Sequence, residues 1–173
     1  VGAEAERLER MVGDLLDLAR LDAHEATLTL APVDLGELLR SATPVWQHRC
    51  DAVGVELSVV GPDQPLVVRA DPDRLRQAVD GLLDNALRVT PAGRPIVVAA
   101  RAHADVARGG TDAAVLEVRD GGPGLAAEDY DVAFERSVLH ERYRGRREVG
   151  TGLGLAIVQR IVARHGGTVS ATG

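Results

Sequence analysis

The chain has 173 residues, of which 45% are apolar, and a formal net charge of −6. This acidic balance argues against a nucleic-acid-binding domain, and the single cysteine, Cys50, excludes a disulfide framework and fits a reducing compartment. No apolar run reaches the roughly 18 residues of a membrane span and no signal peptide opens the chain, so we expect no membrane contact by this segment. Because aromatic residues make up only 2%, the core must be aliphatic.

The first segment, residues 4–22, predicts a single amphipathic helix. Its apolar side chains recur at three- and four-residue spacing, at Leu8, Met11, Val12, Leu15, Leu18 and Ala19. We expect this stripe to pack against another helix, either of the same chain or of a second chain. The pattern breaks at Ala31-Pro32-Val33, where a second unit begins, so we divide the chain into residues 1–30 and residues 31–173.

The second unit contains three predicted helices. Asp34 caps a helix that runs to about Cys50, and Pro44 inside that helix predicts a kink or a break. Asp71-Pro72 is the start of another helix, because a capping carboxylate precedes a proline at the first helical position. A last helix covers residues 153–165.

Strands are expected between these helices and after the last one. The apolar runs that predict them lie at 55–59, 66–69, 96–100, 113–119 and, as a truncated strand after the helix stop Gly166-Gly167, at 168–171. Residues 141–148 are almost entirely charged and predict a mobile loop. Because strands and helices do not alternate strictly, the predicted fold class is α+β, as a two-layer sandwich.

Two glycine boxes carry the main functional signal. The first runs from Asp120 to Gly124, and the second from Gly150 to Leu155. Glycines cluster where the backbone approaches a ligand closely or takes a positive φ. The second box opens into a helix, whose free N–H groups suit a phosphate. It is not a P-loop, because the chain has no lysine, and its G-x-G-x-G spacing is not that of a dinucleotide fingerprint.

Three polar residues, one inside the first box and two upstream of both boxes, are candidate ligand contacts. Asp120 follows an apolar strand and is either a solvated turn carboxylate or an acceptor for an exocyclic amine such as adenine N6. Asn85 lies mid-helix, where it is either an amide satisfied in the core or an oxygen ligand for Mg²⁺. Arg88, one helical turn further, is either a solvated helix-end residue or a phosphate contact.

In combination, four motifs resemble those of one family. Asn85-Ala86, Asp120 to Gly124, Phe134-Glu135-Arg136 and Gly150 to Ala156 are similar to the N box, first glycine box, F box and second glycine box of sensor histidine kinases. These kinases belong to the GHKL group of ATP-binding domains, with relatives in gyrase, Hsp90 and MutL. Residues 15–22 resemble the second helix of the family's dimerising phosphoacceptor hairpin.

The resemblance implies a Bergerat-type ATP site between a mixed sheet and its helices. In such a site Asn85 would bind Mg²⁺, Asp120 would bind the adenine amine, and residues 137–149 would form the ATP lid. The ATP-binding residues that it implies are Asn85, Arg88, Asp120, Gly122, Gly124, Leu125, Thr151, Gly152, Leu153, Gly154 and Leu155.

The resemblance also implies an activity and partners. The expected enzyme is a protein-histidine kinase that uses ATP and Mg²⁺ and transfers the γ-phosphoryl group to a histidine. A second protomer would pair through the helical hairpin to give a homodimer, and the receiver domain of a response regulator would accept the phosphoryl group on an aspartate. The expected location is the cytoplasmic part of a membrane-anchored bacterial sensor.

Three places depart from the family pattern. Gly81 stands where the family usually has a second Asn and where relatives that hydrolyse ATP carry a catalytic Glu, which argues against a gyrase-like ATPase. Val89 replaces an aromatic residue that flanks adenine, and Ser137-Val138 replace an aromatic pair after the F box. Individual roles are therefore not assigned to the lid arginines Arg142, Arg144, Arg146 and Arg147.

No histidine fits the family's phosphoacceptor pattern, in which an acidic neighbour and then a proline follow. Only His24 has the acidic neighbour, Glu25, but it lacks the proline and lies after the hairpin-like helix. We therefore expect a catalytic segment without its acceptor helix and without a final strand. Two alternatives stay open: a nucleotide-sensing or dimerising module with inactive chemistry, and an anti-sigma-type serine kinase, against which the leading helix counts.

Overall fold

The computed structural model describes residues 2–22, 27–105, 111–136, 138–143 and 151–173. It confirms the α+β class, with small sheets packed on helices. The helices are α1 (Gly2–Asp22), α2 (Leu35–Asp51), α3 (Pro72–Val89), α4 (Val138–Tyr143) and α5 (Gly154–Arg164). The strands are β1 (Ala31–Asp34), β2 (Glu56–Val60), β3 (Val67–Ala70), β4 (Pro95–Asp105) and β5 (Thr111–Arg119). A short 3₁₀ turn lies at Ala127–Asp129.

The strands form two sheets. β1 pairs antiparallel with β3, while β2, β4 and β5 form a three-stranded mixed sheet in which β4 is central. β2 runs parallel to β4, and β5 runs antiparallel to it. Strand β1 was not predicted, because Ala31-Pro32-Val33 was interpreted only as the break before the second unit. A two-stranded sheet has only edges, and there a proline such as Pro32 is tolerated.

The predicted helix starts are confirmed by side-chain caps. The carboxylate of Asp34 accepts hydrogen bonds from the backbone N–H groups of Gly36 at 2.8 Å and Glu37 at 3.2 Å. The carboxylate of Asp71 accepts one from the N–H of Arg74 at 3.1 Å. Helix α2 continues through Pro44, so of the predicted kink or break, the break is wrong. Buried side chains on both sides of the proline hold the helix against the core: Leu38, Leu39, Ala42, Trp46 and Cys50.

Two apolar clusters stabilise the fold. The larger one joins α2, α3 and the strands, and its least exposed side chains include Leu39, Val79 and Ile96. The second cluster joins α1 to α5 through side chains such as Leu18 and Ile161. The predicted helical partner of α1 is therefore α5 of the same chain. Side chains of the α1 stripe that point away from α5 are about half exposed: Leu8, Val12 and Leu15.

Two segments differ from their predictions. Residues 141–143 of the expected mobile loop form the last turn of helix α4, and the remainder, 144–148, lies outside the described residues. The predicted strand at 168–171 does not form in the part of the chain that the structure describes. Helix α5 ends as expected, with Gly166 at a φ of +74°. Beyond it, Val169 and Ala171 pack against the second cluster instead of pairing with a sheet edge.

Candidate nucleotide-binding site

An open cavity of about 460 Å³ lies between the end of α3 and the first glycine box. Residues from both segments line it, together with the turn before β4: Arg88, Val89, Thr90, Pro91, Arg94, Gly121, Gly122 and Pro123. A volume of this size lies within the range of small-molecule sites. The structure therefore brings the predicted phosphate contact, Arg88, to the same cavity as the first glycine box.

The first glycine box has room only for glycine at two positions. A Cβ atom on Gly122 would lie 2.7 Å from Oδ1 of Asp120 and 2.9 Å from the carbonyl oxygen of Val89. A Cβ atom on Gly121 would lie 2.6 Å from the Cβ atom of Arg94. Gly124 has a φ of +70°, which disfavours other residues. The glycines thus let the loop lie directly against the end of α3.

Asp120 closes this loop on itself. Its Oδ1 atom accepts a hydrogen bond from the backbone N–H of Gly122 at 2.8 Å, while the side chain stays exposed at the end of β5. An ionised carboxylate offers about four lone-pair sites. The bond to Gly122 therefore fixes the direction of the carboxylate and leaves acceptor capacity for a ligand.

Arg88 is held by a neighbouring carboxylate. Its guanidinium forms an ion pair with Asp84, one helical turn earlier, and Asp84 also accepts a hydrogen bond from Arg49 of α2 at 2.8 Å. Burial raises the pKa of the Asp84 carboxyl, but the two guanidinium groups outweigh burial and bring that pKa below its usual value. Asp84 is consequently an anion at neutral pH and a fixed partner for Arg88.

Asn85 lies on α3, next to Asp84, and is partly buried. Within the part of the chain that the structure describes, no hydrogen bond to its side-chain amide is found. The alternative in which Asn85 is an amide satisfied in the core therefore has no support here. Among the described residues there is also no group of three or more His, Cys, Asp or Glu side chains that could hold a metal ion.

The second glycine box contacts α1. The hydroxyl of Thr151 donates a hydrogen bond to the carboxylate of Asp14 at 2.6 Å and accepts one from the N–H of Leu153 at 3.3 Å. Gly152 has a φ of +78°, and α5 begins at Gly154 without a side-chain cap. Gly150 lies outside the described residues. No described residue of this box lines the cavity beside Arg88, so the structure does not merge the two boxes into one pocket.

Helices α3 and α5 approach each other closely at Gly81, the position where the family usually has a second Asn. A Cβ atom on Gly81 would lie 3.1 Å from Cγ2 of Val158 and 3.8 Å from the carbonyl oxygen of Gly154. Glycine therefore allows the helix that carries Asn85 to lie beside the start of α5. In this way the fold places the second box next to α3, although it does not line the same cavity.

The remaining predicted motifs surround this region. Phe134 of the F box is buried in the second apolar cluster, which Leu125 and Leu155 also contact. The described part of the lid is α4, where Arg142 pairs with the buried carboxylate of Asp129. His24, Ser137 and the other three lid arginines lie outside the described residues.

Sequence reasoning missed the long-range partners of the site. Arg49 reaches Asp84 over 35 positions, and Asp14 reaches Thr151 over 137 positions. Each of these residues looks like an ordinary charged position on a solvated helix face, and no local pattern distinguishes them from their neighbours. Only the packing of α2 on α3 and of α1 on α5 brings them to the site.

The sequence is similar to that of one protein family and to several named proteins. The sequence profile of the family described as "Histidine kinase-, DNA gyrase B-, and HSP90-like ATPase" matches residues 70–173. The chain is 37% identical over 179 residues to the probable sensor histidine kinase TcrY of Mycobacterium tuberculosis, covering 98% of this chain and 34% of that protein. It is 34% identical over 169 residues to the sensor-like histidine kinase SenX3 of Mycolicibacterium smegmatis, covering 96% of this chain and 41% of that protein.

Solved structures show the same architecture. Full-length ShkA, crystallised in complex with AMPPNP, superposes with a TM-score of 0.81 at 34% identity, over 99% of this chain and 34% of that one. Histidine kinase ThkA in complex with the response regulator protein TrrA superposes with a TM-score of 0.74 over 99% of this chain and 45% of that one. At 20% identity, the second likeness concerns the fold alone.

The family profile, the relatives and the fold together identify an ATP-binding catalytic domain of the sensor histidine kinase type. The chain belongs to the family of histidine kinase-, DNA gyrase B- and HSP90-like ATPases, whose profile matches more than half of it. The predicted family and fold class are thereby confirmed. The chain spans less than half the length of TcrY and SenX3. None of the helices described is both long enough and apolar enough to cross a membrane.

Proposed function

We propose that this chain binds Mg-ATP beside α3 and presents the γ-phosphoryl group to a histidine on a helical hairpin. In that step the bond from the γ-phosphorus to the bridging oxygen breaks, a nitrogen–phosphorus bond forms, and ADP leaves. The cavity shared by Arg88 and Gly122 is the observation that supports this function most directly. Phosphoryl transfer of this kind depends mainly on positioning and charge neutralisation.

The base would bind at the first glycine box. The carboxylate of Asp120, held by Gly122 at 2.8 Å, would accept the exocyclic amine of adenine with its free lone pairs. Gly121 and Gly122 keep the loop against α3, and Val89 supplies an apolar wall where an aromatic ring is absent. We therefore expect the amine contact, rather than ring stacking, to supply most of the base recognition.

The phosphates would lie towards Arg88 and the start of α5. That helix has no side-chain cap, so its first N–H groups suit an anion. A Cβ atom on Gly154 would meet no atom within 4 Å, so this glycine faces open space that a phosphate can occupy. Gly152, at a φ of +78°, sets the turn that leads into the helix.

The residues present fit a magnesium ion that ATP brings with it. Mg²⁺ takes few protein ligands when phosphate oxygens and waters complete its shell. The Asn85 amide has no hydrogen-bond partner in the described chain and lies one turn from Arg88. Asn85 would therefore supply an oxygen to the ion, which would neutralise charge on the phosphates.

The partners and the location are also part of this proposal. Leu8, Val12 and Leu15 of α1, between 49% and 55% exposed, would pack against a second protomer, so that residues 1–30 belong to a dimerisation hairpin and residues 31–173 to the ATP-binding domain. The receiver domain of a response regulator would take the phosphoryl group onto an aspartate; ThkA has been solved with such a protein, TrrA. The chain would work on the cytoplasmic side of a bacterial sensor; TcrY and SenX3 are named as sensor histidine kinases and come from bacteria.

Calorimetric titration with a non-hydrolysable ATP analogue, with and without Mg²⁺, tests the binding site. We expect the wild-type chain to bind, Asp120→Asn to bind at least 100-fold more weakly because its amide presents a donor to the adenine amine, and Asn85→Ala to lose the dependence on Mg²⁺. Absence of binding by the wild type, or unchanged binding by Asp120→Asn, would contradict the proposal.

Phosphoryl transfer needs a separate measurement. Radiolabelled ATP added to the chain together with a hairpin domain that carries the acceptor histidine should label that histidine. Binding without transfer to any such domain would favour a nucleotide-sensing or dimerising module with inactive chemistry, and acid-stable label on a serine would favour an anti-sigma-type kinase. Label on the chain itself that His24→Ala abolishes would instead identify an acceptor in this segment.

A further inference from the structure

A chain of charged contacts connects the cavity to helix α2. Asp84 accepts a hydrogen bond from Nη2 of Arg49 at 2.8 Å and forms an ion pair with Nη2 of Arg88. The guanidinium carbon of Arg49 lies 4.1 Å from the ring centroid of Trp46, which is buried on α2. The contacts therefore run from Arg88 at the cavity to the chain's single tryptophan.

The geometry leaves Arg88 free to bind a second anion. A guanidinium group has five N–H donors in a planar fork, and the contact with Asp84 occupies one terminal nitrogen. Arg88 is 27% exposed and lines the cavity, so its other donors remain available there. The carboxylate of Asp84 is held away from the cavity, because it also pairs with Arg49 of α2.

We infer, on the basis of the proposed ATP site, that Asp84 and Arg49 are positioning residues for its phosphates. Asp84 holds the guanidinium of Arg88 at the cavity edge, and Arg49 fixes Asp84 from α2. An arginine that is held in place loses less side-chain entropy when it binds phosphate than one that must first be ordered. Asp84 compensates only part of the positive charge, because one carboxylate serves two guanidinium groups, so the trio keeps a net positive charge.

The chain offers a matched control for this inference. Asp80 lies one helical turn before Asp84 on the same face of α3 and also contacts α2, where it accepts a hydrogen bond from Nε1 of Trp46 at 2.6 Å. It pairs with Arg76 at 3.0 Å and makes no contact with Arg88. Asp80→Asn thus removes one carboxylate from the same interface of α2 and α3 but leaves the Arg88 contact intact.

The test measures binding of AMP-PNP and of adenosine to the wild type, Asp84→Asn, Asp84→Glu and Asp80→Asn. We expect Asp84→Asn to weaken AMP-PNP binding about tenfold and leave adenosine binding within twofold, since only the phosphates meet Arg88. Asp84→Glu should recover most of the loss, because a glutamate four residues before an arginine still forms a helical ion pair. Asp80→Asn should leave both ligands within twofold of the wild type.

The contribution of Arg49 is tested by Arg49→Gln. We expect this variant to weaken AMP-PNP binding several-fold and to leave adenosine binding within twofold of the wild type, because Arg49 holds the carboxylate that positions Arg88. Wild-type binding with no loss in Asp84→Asn, or equal losses in Asp84→Asn and Asp80→Asn, would overturn the inference alone. Failure of the wild type to bind AMP-PNP would instead overturn the proposed ATP site.

Discussion

The two glycine boxes of this chain obtain their shape in different ways. The hydrogen bond of the first box is made within a few residues, where the carboxylate of Asp120 accepts from the N–H of Gly122, and Gly122 lies against Val89 at the end of α3. The second depends on a distant element, because Thr151 binds Asp14 of α1, 137 positions earlier. The first box also lines a cavity with α3, whereas the second adjoins residues outside the described chain.

The difference indicates which end of the site is independent of α1. A loop held by its own backbone and by steric exclusion keeps its geometry wherever α1 lies. A turn held by a hydrogen bond to α1 changes when that helix moves. We therefore expect base recognition to be insensitive to the position of α1 and the phosphate end to respond to it.

Gly122→Ala should have the largest effect, because it acts on the tightly packed first box. The new Cβ atom would lie 2.7 Å from Asp120 and 2.9 Å from the Val89 carbonyl, so the loop must move away from α3. We expect loss of measurable AMP-PNP binding and destabilisation of about 1–3 kcal/mol. Titration calorimetry and thermal unfolding measure the two effects.

The matched control is Gly154→Ala at the start of α5. Apart from its sequence neighbours and the backbone of its own helix, no described atom lies within 4 Å of the position of its Cβ, so the free energy of unfolding should not fall. Its methyl group would enter the proposed phosphate space, so AMP-PNP binding should weaken while adenosine binding does not. Equal melting temperatures for the Gly122 and Gly154 variants would show that the first box is not as tightly packed as described.

Gly152→Ala tests the backbone of the second box. At a φ of +78° an alanine costs about 1–2 kcal/mol relative to glycine. Gly152→Asn should cost less, because asparagine tolerates this conformation better. Chemical denaturation of the three proteins gives the comparison, and an alanine variant as stable as the asparagine variant would mean that the turn adopts another conformation.

A double-mutant cycle of Asp14→Asn and Thr151→Val measures the contact between α1 and the second box. A hydrogen bond between a hydroxyl and a carboxylate predicts a coupling free energy of about 1 kcal/mol in urea unfolding. Asp17→Asn is the control, since Asp17 lies on the same helix as Asp14 but accepts its hydrogen bond from Gln77 of α3, at 2.8 Å. Its effect should add to that of Thr151→Val, and coupling of similar size in both cycles would argue against a specific contact.

The smallest expected effect concerns Asp71, which has both local and distant partners. Burial raises the pKa of the Asp71 carboxyl. The backbone N–H donors of Arg74 and Thr29 lower that pKa by more than burial raises it, so the net shift is downward. Its contribution to stability is therefore complete above the unfolded-state pKa of about 4 and is lost as pH falls through the lower folded-state pKa.

Thermal unfolding of the wild type and Asp71→Asn at a series of pH values measures this contribution. We expect the wild type to be more stable by roughly 0.3–1 kcal/mol at pH 7, with the difference shrinking below pH 4. A difference that does not change with pH would mean that the charge of Asp71 has no role.

Sequence patterns predicted the parts of this fold that depend on neighbours along the chain. The caps Asp34 and Asp71 and the stop at Gly166 follow from local backbone chemistry, and each is confirmed. Strand β1 was missed because its existence depends on pairing with β3, almost 40 residues later, and the strand at 168–171 was predicted from apolar content without a pairing partner.

The residues of the candidate site likewise fall into those that local sequence patterns reveal and those that only the tertiary structure reveals. Its glycines and its residues Asp120, Asn85 and Arg88 are recognisable because each motif is contiguous in sequence. The groups that hold those residues, Arg49 for the cavity and Asp14 for the second box, lie on other helices. Their roles depend on which faces of the helices meet, and a single sequence contains no local signal for that.

The close contact at Gly81 limits which chemistry this domain can acquire. Even the first carbon of a side chain there lies 3.1 Å from Val158, which is 1% exposed, so any larger residue must displace that valine. Val158 belongs to the helix that starts at Gly154, and moving it shifts the segment proposed to hold the phosphates. A carboxylate introduced at this position to activate water would therefore press on Val158 and disturb the helix whose start is proposed to hold the phosphates.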